Sequence, residues 1–312
     1  MKNNNNDVPV LFLIFNRPDL SEKIFGVIKK VQPAQLFIAA DGPRKNVPHD
    51  YKLCKCVREF VLNNIDWPCD IRTLFREENL GCKIAVSSAI TWFFDQVESG
   101  IILEDDTMPD ISFFSFCREL LEKYKNHEHI YHISGNNFQF SKIGEGSYFL
   151  SKIPYIWGWA SWRRAWKKYD VSISNFSERK KELYFNNEEI DLFWNKIFRM
   201  IKNNEIDTWD YQWTHALFCN DGYAIQPQTN LVTNIGFDTR SNRTSSPLDI
   251  SANLKTYSIE NIVHPPDLNY QLYADINFQK LFGWNIPLYE NRMSGSMALK
   301  TLLARINNRF LR

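Results

Sequence analysis

The sequence predicts an α/β fold in which a mostly parallel central sheet carries helices on both faces. In the N-terminal third of the chain, short apolar runs of strand length alternate with segments whose apolar residues recur at helical spacing. This alternation is typical of parallel sheets, because parallel neighbours are joined by crossover helices. The composition, with 44% hydrophobic and 23% charged residues, is that of a folded globular chain.

The predicted elements follow a regular order. The first apolar run ends at Asn16-Arg17-Pro18, and helical periodicity begins soon after it. A second apolar run ends at Asp41-Gly42-Pro43, a sequence that favours a turn. In order, we predict strand 8–15, helix 21–31, strand 36–40, helix 51–63, strand 71–75, helix 83–97 and strand 101–103.

Bulk properties argue against several classes of protein. The formal net charge of +1 gives no overall positive electrostatic field that would attract nucleic acid, so no nucleic-acid partner is expected. The six cysteines lack the C-x-x-C spacing of a structural zinc site. The first apolar run is too short for a membrane span or for the core of a signal sequence. We therefore expect a cytoplasmic protein.

Polar side chains follow the predicted strands where the strands end. Asn16 and Arg17 follow the first strand, Asp41 follows the second, and the acidic run 104–106 follows the fourth. Ligands of open α/β sheets bind beyond the carboxyl ends of the strands, so these residues are expected to line one crevice. A guanidinium offers a fork of donors for phosphate oxygens. We expect Arg17 and Asn16 to bind the base or diphosphate of a nucleotide, the alternative being a solvated turn.

The acidic run Glu104-Asp105-Asp106 is the most informative motif. Adjacent carboxylates repel one another unless a cation lies among them. Mg²⁺ and Mn²⁺ prefer carboxylate oxygens and usually share their other coordination positions with substrate phosphates. A solvated acidic turn is the alternative, but the position at the end of a buried strand favours a metal-and-diphosphate site.

The segment around this run resembles that of a known family. The acidic run, two further residues, Pro109-Asp110 and then Phe113-Phe114 resemble the E-D-D…P-D-F-F segment of the N-acetylglucosaminyltransferases that begin complex N-glycans. Those enzymes are inverting, have the GT-A fold and use UDP-GlcNAc and Mn²⁺, and bacterial relatives act in surface-polysaccharide synthesis. The resemblance implies a GT-A glycosyltransferase that moves a sugar from a nucleoside-diphosphate donor, with a UDP-sugar favoured, to an acceptor hydroxyl, using Mn²⁺ or Mg²⁺.

On the donor side, the resemblance assigns roles to individual residues. Arg17 is similar to an arginine that meets the nucleotide, and Asp41 is similar to an aspartate near the uracil. Within the acidic run, the resemblance implies that Asp106 holds the metal, that Asp105 binds the ribose and that Glu104 binds the donor sugar.

The catalytic base is expected in the second half of the chain. Trp209-Asp210 and Trp213 resemble the Trp-Asp-Asp-Trp element of the family, whose first aspartate is the base. In this chain Tyr211-Gln212 stands between Trp209-Asp210 and Trp213, where the family has a single aspartate. The second acid of the element is therefore absent, and the spacing is one residue longer. Asp210 is the predicted general base, and Asp207 is the alternative.

Two further residues are expected at the substrate. Asn136 lies in a segment similar to a substrate-side loop of the family, and Trp159 follows a glycine as in a similar glycine-tryptophan pair. An indole ring offers an apolar face to a sugar and an N–H to a hydroxyl. Trp159 is therefore the predicted aromatic contact of the sugar.

The chain is predicted to form two halves of one GT-A unit and a tail. Residues 1–151 are interpreted as the nucleotide-sugar-binding half and 152–290 as the acceptor-side half. Residues 291–312 form a basic amphipathic tail that either docks on the protein itself or binds an anionic membrane surface. The expected acceptor is a glycan or a lipid-linked sugar, and a membrane-bound tail would place the enzyme at the inner face of the membrane.

Two other functions stay open. A nucleotidyltransferase acting on sugar phosphates has a similar sheet, although it usually carries a glycine-rich loop after its first strand, where this chain has none. A non-catalytic carbohydrate-binding protein would explain the ten tryptophans but not the acidic run.

Overall fold

The computed structural model describes residues 7–177, 183–237 and 251–282. Within these ranges the chain forms ten strands and eight helices. Their bounds are β1 Val10–Ile14, α1 Pro18–Val31, β2 Gln35–Ala40, α2 Asp50–Asn63, β3 Asp70–Phe75, α3 Gly81–Phe94, β4 Ser99–Glu104, β5 Thr107–Pro109, α4 Ser112–Lys123, β6 Ile130–Ser134, β7 Tyr148–Ser151, β8 Trp159–Trp162, α5 Arg163–Trp166, α6 Glu188–Lys202, α7 Asp210–Cys219, β9 Tyr223–Pro227, β10 Val232–Asn234 and α8 Leu272–Phe282.

Eight of these strands form one sheet in the order β3-β2-β1-β4-β8-β6-β9-β7, while β5 and β10 form a separate antiparallel pair. The first four strands of this order pair in parallel, as do β6 and β9. Strands β8 and β7 are antiparallel to their neighbours. This confirms the predicted α/β class with a mostly parallel sheet, which the resemblance to GT-A enzymes also implies.

Alternate residues of the central strands face two hydrophobic cores. Leu11 and Leu13 of β1 belong to the core that includes side chains of α3, α6 and α7. Val10, Phe12 and Ile14 belong to the core that includes side chains of α1, α2 and α4. A strand covered on both faces needs an apolar side chain at every position. Helices therefore cover both faces of the sheet, as predicted.

An aromatic cluster fills the core beside β8. Trp159 stacks on His132 with 4.9 Å between ring centroids and on Trp209 with 5.9 Å. Trp213 Nε1 donates to His132 Nδ1 at 3.2 Å, so the ring proton lies on His132 Nε2, which donates to the Tyr155 carbonyl at 2.9 Å. Burial lowers the pKa of His132 to about 3. This histidine is therefore a neutral structural residue.

Strands from both predicted halves of the chain contribute to the one sheet. Strand β4 pairs with β8, and β6 pairs with β9, on either side of the predicted boundary after residue 151. No helix in the described ranges has the length and hydropathy needed to cross a membrane. The predicted tail, residues 291–312, lies outside the described residues.

Candidate functional site

Arg17, Asp105 and Asp106 meet where β1 and β4 end. The two strands are parallel neighbours with Leu13 opposite Glu104, so the residues that follow them emerge at one edge of the sheet. Arg17 Nη2 donates to Asp106 Oδ2 at 2.9 Å and also to Asp105 Oδ1. The structure thus brings Arg17 and the acidic run together.

The carboxylates of this cluster are largely removed from water. Asp105 is 4% exposed and Asp106 is 9% exposed, and Asp105 Oδ2 is buried with no hydrogen-bond partner among the described residues. Burial raises the pKa of Asp105 to about 6, although Arg17 opposes the shift. Burial also raises the pKa of Glu104 to about 8, and the Asp106 and Asp105 carboxylates add to that shift. The single positive charge of the Arg17 guanidinium therefore does not balance the three neighbouring carboxyl groups.

A divalent cation fits the chemistry of this cluster. The acids exceed the guanidinium in charge, and one carboxylate oxygen of Asp105 has no partner in the described ranges. No group of three or more His, Cys, Asp or Glu side chains in those ranges is arranged to hold a metal unaided. Because Mg²⁺ is often held by one or two carboxylates together with substrate phosphates, the missing ligands would come from a phosphorylated substrate. Asp106 is the candidate protein ligand.

Asp210 begins α7 and lies close enough to the acidic run to act on it electrostatically. Its carboxylate raises the pKa of Glu104, after burial and the two neighbouring aspartates. Thr208 Oγ1 and the Tyr211 backbone N–H both donate to Asp210 Oδ1, which orients the carboxylate. Asp207, the alternative base, is exposed and does not line the adjacent cavity.

A cavity of about 240 Å³ borders Asp210. Asn136, Trp157 and Tyr211 are among its lining residues, and most of the wall is aromatic or aliphatic. Ligand sites are typically concave and mainly apolar with a few polar groups placed among them. The predicted base therefore borders a space that has the character of a substrate site.

The two predicted substrate contacts occupy different environments. Asn136 lines the cavity, but its Nδ2 donates to the Val232 carbonyl at 2.8 Å and its Oδ1 accepts from the Trp157 backbone N–H at 3.2 Å. Trp159 is fully buried, because its position in β8 directs it into the aromatic cluster. This corrects the expectation that Trp159 stacks on the sugar, since a buried ring has no free face. Trp157, two residues earlier, lines the cavity instead.

Asn16 and Asp41 both form hydrogen bonds with neighbouring parts of the protein. Asn16 Nδ2 donates to Asp50 Oδ1 at 2.7 Å. The Asp41 carboxylate accepts from the backbone N–H groups of Leu80 at 2.9 Å and Gly81 at 3.1 Å, where α3 begins. An acid at this end of a helix is stabilised by the helix dipole, while burial raises the pKa of Asp41. Contacts of Asn16 and Asp41 with a nucleotide stay predictions.

Gly236 borders the acidic cluster and was not predicted from the sequence. A Cβ atom at this position would overlap the Asp106 carboxylate and lie 2.9 Å from Arg17 Nη1. The segment is held in place because the Ile235 N–H donates to the Asp106 carbonyl at 2.8 Å. An isolated glycine after a short strand gives no pattern that a single sequence could reveal.

No protein-family model matches this chain, and no curated protein matches its sequence. Several solved structures are similar. TarS from S. aureus matches with a TM-score of 0.41 and 10% identity over 71% of this chain and 58% of its own, so the match spans less than two thirds of TarS. HddC from Yersinia pseudotuberculosis matches with a TM-score of 0.32 and 10% identity over 58% of this chain and 84% of its own. The 4-diphosphocytidyl-2C-methyl-D-erythritol synthase from Anaerococcus prevotii matches with a TM-score of 0.38 and 8% identity over 72% and 90%. Such low TM-scores carry no functional argument.

Proposed function

We propose that this chain is a GT-A glycosyltransferase that transfers a sugar from a nucleoside-diphosphate donor, with a UDP-sugar favoured, to an acceptor hydroxyl. One juxtaposition carries the proposal: the acidic run and Arg17 form a cluster at the sheet edge, and Asp210, which acts electrostatically on Glu104, borders a cavity. Donor and acceptor would then meet beyond the carboxyl ends of the strands, where ligands of open α/β sheets bind.

On the donor side, Arg17 binds the diphosphate, for which its guanidinium is chemically suited. Asp106 would hold Mn²⁺ or Mg²⁺, which as a Lewis acid stabilises negative charge on a departing diphosphate. Asp105 Oδ2, without a partner among the described residues, suits a hydrogen bond from a ribose hydroxyl. Glu104 is assigned to the transferred sugar, as the resemblance of the acidic run implies.

On the acceptor side, Asp210 is the general base. A sugar hydroxyl is a poor nucleophile at neutral pH, and a carboxylate within hydrogen-bond reach takes its proton as the new bond to carbon forms. The hydrogen bonds from Thr208 and Tyr211 hold this carboxylate in one orientation. With a single base and no covalent intermediate, the displacement inverts the configuration at the anomeric carbon.

The alternative functions fit the site less well. A nucleotidyltransferase would be expected to hold phosphates in a glycine-rich loop after β1, but this chain has Asn16-Arg17-Pro18 there. A carbohydrate-binding protein would account for the aromatic cavity but gives no role to a buried acidic run. We extend the proposal to a glycan or lipid-linked acceptor in bacterial surface-glycan synthesis, on the cytoplasmic side of the membrane.

Calorimetric titration with UDP, with and without Mn²⁺, tests the donor side. We expect UDP to bind tightly only when Mn²⁺ is present, whereas a carbohydrate-binding protein should respond to neither. A panel of nucleotide sugars is then screened for metal-dependent hydrolysis, and NMR of the transfer product gives its anomeric configuration. Absence of any binding of UDP or of another nucleoside diphosphate would overturn the proposal.

A further inference from the structure

The residues that line the cavity beside Asp210 indicate what kind of molecule binds there, beyond the one hydroxyl group that Asp210 would activate. Ten of its fifteen lining residues are aromatic or aliphatic, and α6, α7 and α8 all contribute to the wall. Trp157, Tyr211 and Phe278 line it and are only partly buried, so part of each ring is accessible. These rings offer flat apolar surfaces to an occupant.

Three buried polar atoms on lining residues lack hydrogen-bond partners in the described part of the chain. They are Tyr155 Oη, Trp194 Nε1 and Gln279 Oε1, on residues that are 3%, 3% and 1% exposed. An unpaired buried polar group is unfavourable. A ligand with several hydroxyl groups suits such a wall, because a hydroxyl both donates and accepts.

The size and polarity of the cavity limit its occupant. An apolar cavity of about 150 Å³ holds benzene, so a volume of about 240 Å³ has space for one six-membered ring with its substituents. A lipid chain fits poorly, because Asp210, Thr214 and Ser251 also line the cavity and an alkyl chain offers no polar group to them. A sugar ring combines an apolar face with polar edges and fits both kinds of wall.

We propose that this cavity binds a single sugar ring of the acceptor, with a C–H face against Trp157 and Tyr211 and one hydroxyl at Asp210. The inference rests on the proposed function, because it takes Asp210 as the base. It adds that the acceptor is recognised through one terminal sugar unit, so that a linked lipid or a second sugar lies outside the cavity.

Saturation-transfer NMR with a panel of methyl pyranosides tests this assignment. In the wild type, we expect transfer to the ring C–H protons of at least one pyranoside. Ile156→Trp, which fills the cavity from its wall, abolishes the transfer, and Trp157→Ala weakens binding about tenfold through lost apolar contact. Phe140→Ala is the matched control, since Phe140 is 79% exposed and does not line the cavity.

Binding of UDP with Mn²⁺, measured on the same samples, separates this inference from the donor proposal and shows that each variant is folded. If the wild type binds UDP but Ile156→Trp and Trp157→Ala leave pyranoside transfer unchanged, the sugar binds elsewhere and the inference is overturned. Absence of transfer from every pyranoside also overturns it, while UDP binding stands. If pyranosides bind in the cavity but UDP does not bind, the glycosyltransferase proposal fails and the cavity assignment survives as that of a carbohydrate-binding protein.

Discussion

Replacing Arg17 with methionine removes the guanidinium that donates to the carboxylates of Asp105 and Asp106. The three side chains are 17%, 5% and 12% exposed, so water only partly replaces the lost contacts. Removing one partner of a buried ion pair costs about 3 to 5 kcal/mol. Because Arg17 keeps some exposure, we expect a loss of about 3 kcal/mol in the free energy of unfolding. At roughly 2 °C per kcal/mol for a chain of this size, the melting temperature falls by about 6 °C.

Differential scanning calorimetry of Arg17→Met and of a matched control, Arg72→Met, measures this loss. Arg72 pairs with Asp70 at 3.0 Å, but these side chains are 43% and 49% exposed, and exposed pairs contribute about 0 to 1 kcal/mol. Equal shifts in the two variants would refute the reasoning that burial makes the Arg17 cluster costly to disrupt.

The same variant tests whether the acidic run attracts a cation. With the guanidinium removed, its carboxylates are less compensated, so Mn²⁺ alone should raise the melting temperature of Arg17→Met more than that of the wild type, by preferential binding to the folded state. Arg72→Met should respond as the wild type does. If Mn²⁺ stabilises all three proteins equally, the cation does not bind at this cluster.

Four further predictions concern the site and the tail. Asp106→Ala abolishes Mn²⁺-dependent UDP binding in calorimetry; unchanged EDTA-sensitive activity would contradict the metal assignment. Asp210→Asn loses about a hundred- to ten-thousand-fold in turnover but still binds UDP, whereas Asp207→Asn stays near the wild type; the reverse pattern, or a product that keeps the donor's anomeric configuration, would contradict the mechanism. Gly236→Ala lowers the free energy of unfolding by about 1 to 3 kcal/mol, because a side chain there overpacks the acidic cluster; a melting temperature equal to that of the wild type would show that the segment adapts. A protein that ends at Glu290 no longer sediments with anionic vesicles although the full chain does, and equal pelleting would remove the membrane role of the tail.

The fold could be predicted because local patterns determine it. The seven elements predicted between residues 8 and 103 are all present, each within three residues of its predicted bounds. The rule that polar residues converge at the carboxyl ends of parallel strands also led to the cluster. Its most direct contact, between Arg17 and Asp105, was not predicted, because these residues are 88 positions apart and meet only because β1 and β4 are neighbours.

The rest of the site depends on packing that one sequence does not reveal. A glycine-tryptophan pair at the start of a strand does not show which face of the sheet the ring takes: Trp159 lies in the core, whereas Trp157 lines the cavity. The cavity itself is built from α6, α7, α8 and the segment before β8, which are far apart in the chain. Only their packing in three dimensions creates it.

The position of Asp210 relative to the acidic run is fixed by a packed core. Strand β4, which ends at Glu104, pairs with β8, and the residue opposite Trp159 lies two positions before Glu104. Trp159 stacks on Trp209, directly before Asp210, and contacts Trp213 of α7 with 6.0 Å between ring centroids. Displacing reacting groups by about 1 Å can cost a hundredfold in rate. Trp159, expected at the sugar, is therefore better understood as a positioning residue that joins the strand carrying the acids to the helix carrying the base.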